Sequence, residues 1–108
     1  MAWRLCVSRV VSLALKPFNY NVHGHDVTVW ACWCSPSRAN VDVELLARSL
    51  EEALRKFDHK PLWEVLGVEG AMIEDLLLDL SGSLKSVGGL KLCSLSASWA
   101  GRSLELNL

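Results

Sequence analysis

Residues 22–30 read VHGHDVTVW, and this stretch decides how the fold is interpreted. From His25 onward apolar and polar side chains alternate, which is the period of a half-buried strand. Residues 25–34 are therefore predicted to form a strand. One of its faces carries Val27, Val29, Ala31 and Trp33, and the other carries Thr28, Trp30, Cys32 and Cys34. His23 and His25 stand at the start of this strand and should project to the same side.

Three further strands are predicted around this one. Residues 3–15 (WRLCVSRVVSLAL) are rich in Val and Leu, and the loop KPFNYN joins them to the second strand. A short connection of this kind favours antiparallel pairing. Residues 90–98 and 102–107 alternate again on either side of a turn at Ala100 and Gly101.

Between these strand pairs the hydrophobic period becomes helical. Residues 41–59 place apolar side chains one helical turn apart, with Asp42 as the N-cap, and residues 71–80 (AMIEDLLLDL) predict a second helix. The order ββααββ predicts an α+β fold in which two helices cover one face of an antiparallel sheet. The length suits a single domain spanning residues 1–108.

The composition suggests that part of the surface meets another subunit. Hydrophobic residues make up 51% of the chain and charged residues only 21%. This composition is unusually apolar for a chain of 108 residues, because a small protein has a large surface relative to its core. A four-stranded sheet also leaves two open edges, and closing several such sheets into a barrel removes them. We therefore expect a ring-like homo-oligomer.

Charge and cysteine usage exclude several classes of protein. The net charge is -1 and there is no basic run, so no nucleic-acid partner is expected. No apolar stretch reaches the roughly 18 residues that a membrane-spanning helix needs. The four cysteines form no C-x-x-C pair, which argues against a structural zinc cage. We expect them to be reduced and buried in a cytoplasmic protein.

Two short motifs could carry chemistry. Side chains of His23 and His25 would start roughly 6–7 Å apart, which suits two ligands of one zinc ion. Catalytic zinc normally has three protein ligands, so two polar residues at a strand entrance is an equally good interpretation. Asp58 and His59 could form a general acid–base pair, but for these residues taken alone a solvated helix end, which favours His59 and Lys60, is the preferred interpretation.

Taken in order, these motifs resemble a known family. The stretches HGHDVTVW, FDHKPLWE, AMIED and SWA resemble the 6-pyruvoyl-tetrahydropterin synthase family, which includes the 6-carboxy-tetrahydropterin synthase of queuosine biosynthesis. The resemblance runs from about residue 9 to the end. It implies the tunnelling fold, in which ββααββ subunits close into trimeric β-barrels that stack in pairs, so that a trimer or hexamer holds active sites between subunits.

The resemblance also implies a zinc centre and a catalytic pair. Three histidines bind zinc in that family, and the second and third match His23 and His25. The first ligand position holds Leu15, which cannot ligate. The family's catalytic aspartate and histidine match Asp58 and His59.

Two more positions that matter for the family's chemistry have changed. The cysteine that acts as a base is replaced by Asn19, which cannot accept a proton near neutral pH. The glutamate that anchors the pterin ring is replaced by Ser94, at a loss of about 1.5–3 kcal/mol in charge-assisted hydrogen bonding. Glu74 keeps the glutamate of the family's P-T-x-E-N pattern and should line the pterin pocket with Ser94.

The resemblance therefore implies a zinc-dependent lyase that acts on dihydroneopterin triphosphate or a related pterin. The replacements favour an alternative, a catalytically degenerate protein that keeps the oligomer and binds a pterin- or purine-like ligand. A third interpretation is an enzyme in which Asp58 and His59 work without zinc. A missing zinc ligand would have to come from a neighbouring subunit or from a cysteine, and Cys6 and Cys32 are candidates by residue type.

Overall fold

Six strands and three helices form the part of the chain that the computed structural model describes, residues 2–18 and 21–108. In chain order they are β1 (Trp3–Leu15), β2 (His23–Ser35), α1 (Val43–Leu54), β3 (Lys60–Pro61), α2 (Leu62–Leu66), α3 (Ile73–Ser83), β4 (Ser86–Val87), β5 (Leu90–Trp99) and β6 (Arg102–Asn107). The α+β class is confirmed. The four long strands and the helices α1 and α3 follow the predicted order ββααββ.

The strands form one sheet in the order β3-β1-β2-β5, and both β4 and β6 pair with β5. β1 and β2 pair antiparallel along all 13 residues of each strand, and the ladder ends where Leu15 lies opposite His23. β3 runs parallel to the end of β1, with Lys60 opposite Leu13. The chain therefore returns to the edge of β1 immediately after α1.

The helices cover one face of this sheet, as the alternation along β2 predicts. That face buries Val27, Val29, Ala31 and Trp33, and α1 packs against it with Leu46, Leu50 and Leu54. Each buried side chain of this size contributes about 1.5–3 kcal/mol relative to an exposed one. Asp42 caps α1, since its carboxylate accepts a hydrogen bond from the Glu44 N–H at 3.0 Å.

Three short elements were not predicted. α2 has five residues, follows Pro61, and ends at Gly67, whose φ of 67° is the left-handed conformation that stops a helix. Five residues are too few to show a helical period in the sequence. β3 and β4 contain two residues each, so only their pairing partners define them as strands.

The expectation of four reduced cysteines is wrong for this structure. Cys6 is bonded to Cys32 and joins β1 to β2, and Cys34 is bonded to Cys93 and joins β2 to β5. The alternation along β2 places Cys32 and Cys34 on its helix-free face. The partner cysteines depend on the register of β1 and β5, which composition and spacing do not give.

Both outer edges of the sheet remain largely open in the described part of the chain. β1 pairs on its outer side only at Leu13 and Ala14, and β6 pairs only with β5. Val10 of β1 is 63% exposed, so apolar surface accompanies the open edge. Among the helices that the structure describes, none has the length and apolar character needed to cross a membrane.

Reduction of the two disulfides should destabilise the fold. They close loops with sequence separations of 26 and 59 residues, and the chain-entropy model assigns about 3–4 kcal/mol to each. Urea unfolding with and without a phosphine reductant measures the loss. The Cys6→Ala/Cys32→Ala variant, which keeps only one disulfide, should respond less. Four titratable thiols in the native, unreduced protein would contradict the pairing.

The turn between β5 and β6 holds an alanine in a conformation that suits glycine. Ala100 has φ 46° and Gly101 has φ 75°, the pattern of a tight hairpin turn with both central residues left-handed. Ala100→Gly should therefore raise the free energy of unfolding by about 1 kcal/mol. Gly101→Ala is the matched control and should lower it, as measured by urea unfolding. Equal stabilities of all three proteins would contradict this turn geometry.

Candidate functional site

The two histidines of the HGH motif lie at the end of the long hairpin. His23 lies opposite Leu15 and His25 lies opposite Leu13 in the β1–β2 ladder. Their ring centroids are 6.1 Å apart and their planes differ by 16°. His25 is half-buried, whereas His23 is exposed. The imidazole of His25 therefore contacts the surrounding protein more than the imidazole of His23 does.

Leu15 occupies the position at which the sequence resemblance implies a third metal ligand. Residues directly opposite in an antiparallel pair point to the same face, so the Leu15 side chain lies on the same face as His23. Leu15 is 3% exposed and packs into the core, and its side chain has no lone pair to offer a metal. The imidazoles of His23 and His25 therefore share one face of the hairpin end with the isobutyl group of Leu15.

The cysteines do not replace the missing ligand. Cys6 and Cys32 are bonded to each other, and Cys32 lies about 24 Å along β2 from His25. Among residues 2–18 and 21–108 no group of three or more His, Cys, Asp or Glu side chains is placed to hold a metal ion. The residues of one chain therefore do not fit the three-histidine zinc centre that the resemblance implies.

The Asp58–His59 pair is built against the edge of β1. The Nδ1 atom of His59 lies 3.0 Å from Oδ2 of Asp58. The Ser12 N–H donates to Oδ1 of Asp58 at 2.9 Å, and the Ser12 carbonyl accepts from the His59 N–H at 2.6 Å. These bonds hold His59 at φ 59°, a conformation that costs a non-glycine residue about 1–2 kcal/mol.

These contacts keep Asp58 ionised. The hydrogen bond from the Ser12 N–H lowers the pKa of Asp58 most, and the neighbouring His59 lowers it further, while partial burial opposes them. An ionised Asp58 accepts the Nδ1–H of His59, which leaves Nε2 as the proton-accepting atom of the neutral imidazole. The His59 side chain is 80% exposed, so Nε2 is accessible from outside.

One open cavity of about 410 Å³ brings the two motifs together within a single chain. It is lined by Ser12, Leu13, Ala14, Gly24, His25, Asp26, His59, Lys60 and Pro61. The Ser12 hydroxyl donates to Asp26 on the opposite strand. Sequence reasoning missed Ser12 and Asp26. Their pairing became visible only with the β1–β2 register, which sets them directly opposite each other.

The other predicted site residues lie elsewhere. Glu74, in the first turn of α3, lines a shallow cavity with Leu104 and Leu106 of β6. Ser94 is buried, and its hydroxyl accepts a hydrogen bond from Arg4. It pairs with Cys32 and so lies about 24 Å along the sheet from His25.

Neither Glu74 nor Ser94 lines the cavity between His25 and His59. Asn19, the residue at the position of the family's cysteine, lies outside the described residues. Within one chain the structure therefore brings His25 close to His59, which pairs with Asp58. Glu74 and Ser94, the two residues predicted to line the pterin pocket, do not belong to this cavity.

Comparison with known proteins identifies the fold. No family model matches the chain, and no curated protein matches it significantly. A solved 6-pyruvoyl tetrahydropterin synthase from Caenorhabditis elegans superposes with a TM-score of 0.79 at 15% identity, covering 100% of this chain and 96% of that one. The chain has the 6-pyruvoyl tetrahydropterin synthase fold. The fold that the sequence resemblance implies for a single subunit is thus confirmed.

Structures of the synthase from Plasmodium vivax give the same result. One matches with a TM-score of 0.63 at 10% identity, and a catalytic-residue mutant matches with 0.66 at 9% identity. Each comparison covers 100% of this chain and 99% of the other. Identities this low show a shared fold, so the chemistry of the site must be argued from its own residues.

The anchored carboxylate of Asp58 makes stability depend on pH. Its folded-state pKa lies below the ordinary value of 3.8, so its contribution is present above that pH and is lost as the pH falls through the folded-state pKa. Asp58→Asn should therefore destabilise the protein at neutral pH, and the difference in stability between wild type and variant should shrink as the pH falls below 3.8 and through the folded-state pKa. Urea unfolding at neutral and at acidic pH measures this.

The control for this experiment is Glu52→Gln, which removes an exposed carboxylate of α1 that makes no ion pair among the described residues. It should change the stability little at either pH. A stability difference between wild type and Asp58→Asn that stays constant with pH would contradict the lowered pKa.

Proposed function

We propose that this chain is a 6-pyruvoyl-tetrahydropterin synthase-like lyase that acts on dihydroneopterin triphosphate or a related pterin. The observation that carries the proposal is the Asp58–His59 pair, fixed to the edge of β1 and facing the same cavity as His25. A general base held by a carboxylate and accessible from a cavity is what proton abstraction requires.

The base in this proposal is His59. Its Nε2 atom takes a proton from the side chain of the bound pterin while Asp58 holds the Nδ1–H. The imidazolium that forms then pairs with the ionised carboxylate, which lowers the free energy of the charged state. A positioned base of this kind contributes about 10²–10⁴-fold to the rate.

Zinc is not part of the steps proposed for this chain. In the synthase family a zinc ion polarises the substrate oxygen, and His23 and His25 would be the ligands from this chain. Two imidazoles do not complete a catalytic zinc centre, which needs three protein ligands. No step proposed for this chain therefore uses the metal, and zinc binding would require a ligand from a neighbouring subunit.

The buried Leu15 favours a second candidate function. A catalytically degenerate protein would keep the fold and bind a pterin- or purine-like ligand without turning it over. Leu15 is buried in the core and offers no lone pair, so this position cannot supply the third protein ligand that catalytic zinc requires. Turnover by the wild-type protein separates the two candidates.

The assembly proposed with this function is a homo-oligomer, a trimer or hexamer. Support comes from the open outer edges of β1 and β6, which could pair with each other between copies and close a barrel. The mass in solution tests this, and a stable monomer would contradict it. The expected cytoplasmic location depended on reduced cysteines, and two disulfides remove that support, because they persist in oxidising compartments.

The decisive experiment measures turnover with matched variants. Wild-type protein is incubated with dihydroneopterin triphosphate, and products are oxidised and identified by fluorescence after chromatography. Wild type should form product, and His59→Gly should be about 100-fold slower or worse. Glycine suits this variant because position 59 has a positive φ, so the backbone need not move. Product formation equal in both proteins, or none in wild type, would contradict the lyase.

A gain of metal affinity tests the assignment of the missing ligand. Leu15→His would place a third imidazole on the face that carries His23 and His25, so zinc affinity should rise by about tenfold or more. Zinc content after dialysis against a weak chelator measures it. The control is Ala14→His, which adds an imidazole to the same strand on the opposite face, where it lies across from Gly24. An unchanged affinity in Leu15→His would show that this position does not complete the site.

A further inference from the structure

Two disulfides lie side by side on the helix-free face of the sheet, at the end away from His25. Cys6 is bonded to Cys32, and Cys34 is bonded to Cys93. Cys34 lies about 30 Å along β2 from His25. The disulfides are therefore separate from the cavity of the proposed lyase site, and any chemistry they perform is a different activity.

A β-bulge in β5 redirects the side chain of Cys93. The pairing of β2 with β5 changes register between Cys32, which lies opposite Ser94, and Trp33, which lies opposite Leu92. Cys93 therefore has no partner residue on β2, and its side chain reaches the helix-free face. Because the two strands remain paired on both sides of the bulge, they stay hydrogen-bonded when the disulfide is reduced.

Two cationic side chains lie directly opposite Cys34. Arg4 of β1 pairs with it on one side and Lys91 of β5 pairs with it on the other, so all three side chains point to the same face. The Arg4 guanidinium lies 3.6 Å from Glu105, whereas Lys91 has no acidic partner within 4.0 Å among the described residues. Positive charge beside a cysteine favours the thiolate form of its sulfur.

The environment of Cys93 favours the protonated form instead. Its Sγ atom lies 3.3 Å from the carbonyl oxygen of Cys32. After reduction, a thiol S–H at this position can donate a hydrogen bond to that oxygen, which a thiolate cannot do. The structure therefore stabilises one reduced state, with a thiolate at Cys34 and a thiol at Cys93. A stabilised reduced form makes a disulfide a stronger oxidant.

No cation lies directly opposite the Cys6–Cys32 disulfide. Cys32 lies between Cys6 and Ser94 in the sheet, and neither neighbour carries a charge. Arg4 donates a hydrogen bond to Ser94, so its positive charge lies near both disulfides. Lys91 is therefore the cation that distinguishes the surroundings of the two bonds.

We propose that Cys34 and Cys93 form a redox-active pair whose disulfide oxidises an external dithiol. A thiolate of the dithiol attacks the Sγ atom of Cys93, the S–S bond breaks, and Cys34 leaves as the thiolate beside Lys91. The second thiol then attacks the external sulfur of the mixed disulfide, and Cys93 leaves and takes up a proton.

The exchange is balanced without any further reactant. The external dithiol loses two electrons and becomes a disulfide, and the Cys34–Cys93 disulfide gains them and becomes a dithiol. One of the two protons that the external dithiol loses goes to Cys93, and the other goes to solvent. This activity does not depend on the proposed lyase function.

The redox state of each disulfide at equilibrium tests the proposal. Oxidised protein is equilibrated with mixtures of reduced and oxidised dithiothreitol, the thiols are alkylated, and tandem mass spectrometry locates the alkylated cysteines. We expect the equilibrium constant for reduction of Cys34–Cys93 to exceed that of Cys6–Cys32 at least about tenfold, which corresponds to about 30 mV. Since Cys6 is exposed and both Cys34 and Cys93 are half-buried, accessibility alone predicts the opposite order.

Charge-matched variants show whether Lys91 is responsible. Lys91→Gln should lower the equilibrium constant of the Cys34–Cys93 pair about threefold or more and leave that of the other disulfide unchanged. Lys16→Gln is the control, because it removes an exposed cation that follows β1 at the opposite end of the sheet. It should change neither constant. Circular dichroism confirms that each variant is folded.

In the reduced protein the two cysteines of the pair should differ in reactivity. At neutral pH iodoacetamide should alkylate Cys34 about tenfold faster than Cys93, because the thiolate is the nucleophile. Reduction of both disulfides with the same equilibrium constant, or a larger constant for Cys6–Cys32, would overturn the proposal. An unchanged constant in Lys91→Gln, or faster alkylation of Cys93, would also overturn it.

Discussion

The antiparallel register of β1 against β2 is the constraint on which the site depends. It is continuous over 13 residues of each strand, and it places Leu15 opposite His23 and Ser12 opposite Asp26. A shift of one residue would turn every side chain of β1 to the other face. The buried alternation of β1 resists such a shift, and the disulfide between Cys6 and Cys32 ties the far end of the same ladder.

The same strand pair explains why Asp58 and His59 are held in place while Leu15, and no metal ligand, lies opposite His23. The outer edge of β1 offers the Ser12 N–H and carbonyl to the segment that follows α1, which fixes Asp58 and His59. The acid–base pair is therefore a consequence of how the chain returns to the sheet. The metal half depends on a side chain of β1 itself, and there Leu15 joins the core.

Local sequence patterns gave the fold but only part of the site. Alternation predicted the faces of β2, and the helical period with the cap at Asp42 predicted α1, because both signals lie within a few residues. The cysteine pairs and the Ser12 contacts join residues far apart in sequence. No single-sequence pattern encodes such contacts, so the sequence could not reveal them.

Nuclear magnetic resonance in solution tests the register of β1 against β2 most directly. Cross-strand contacts between backbone protons identify which residues face each other along the two strands. We expect the backbone protons of Leu15 to contact those of His23, and those of Ser12 to contact those of Asp26. Contacts from His23 to Ala14 or Lys16 in their place would show a register shifted by one residue and would contradict this pairing.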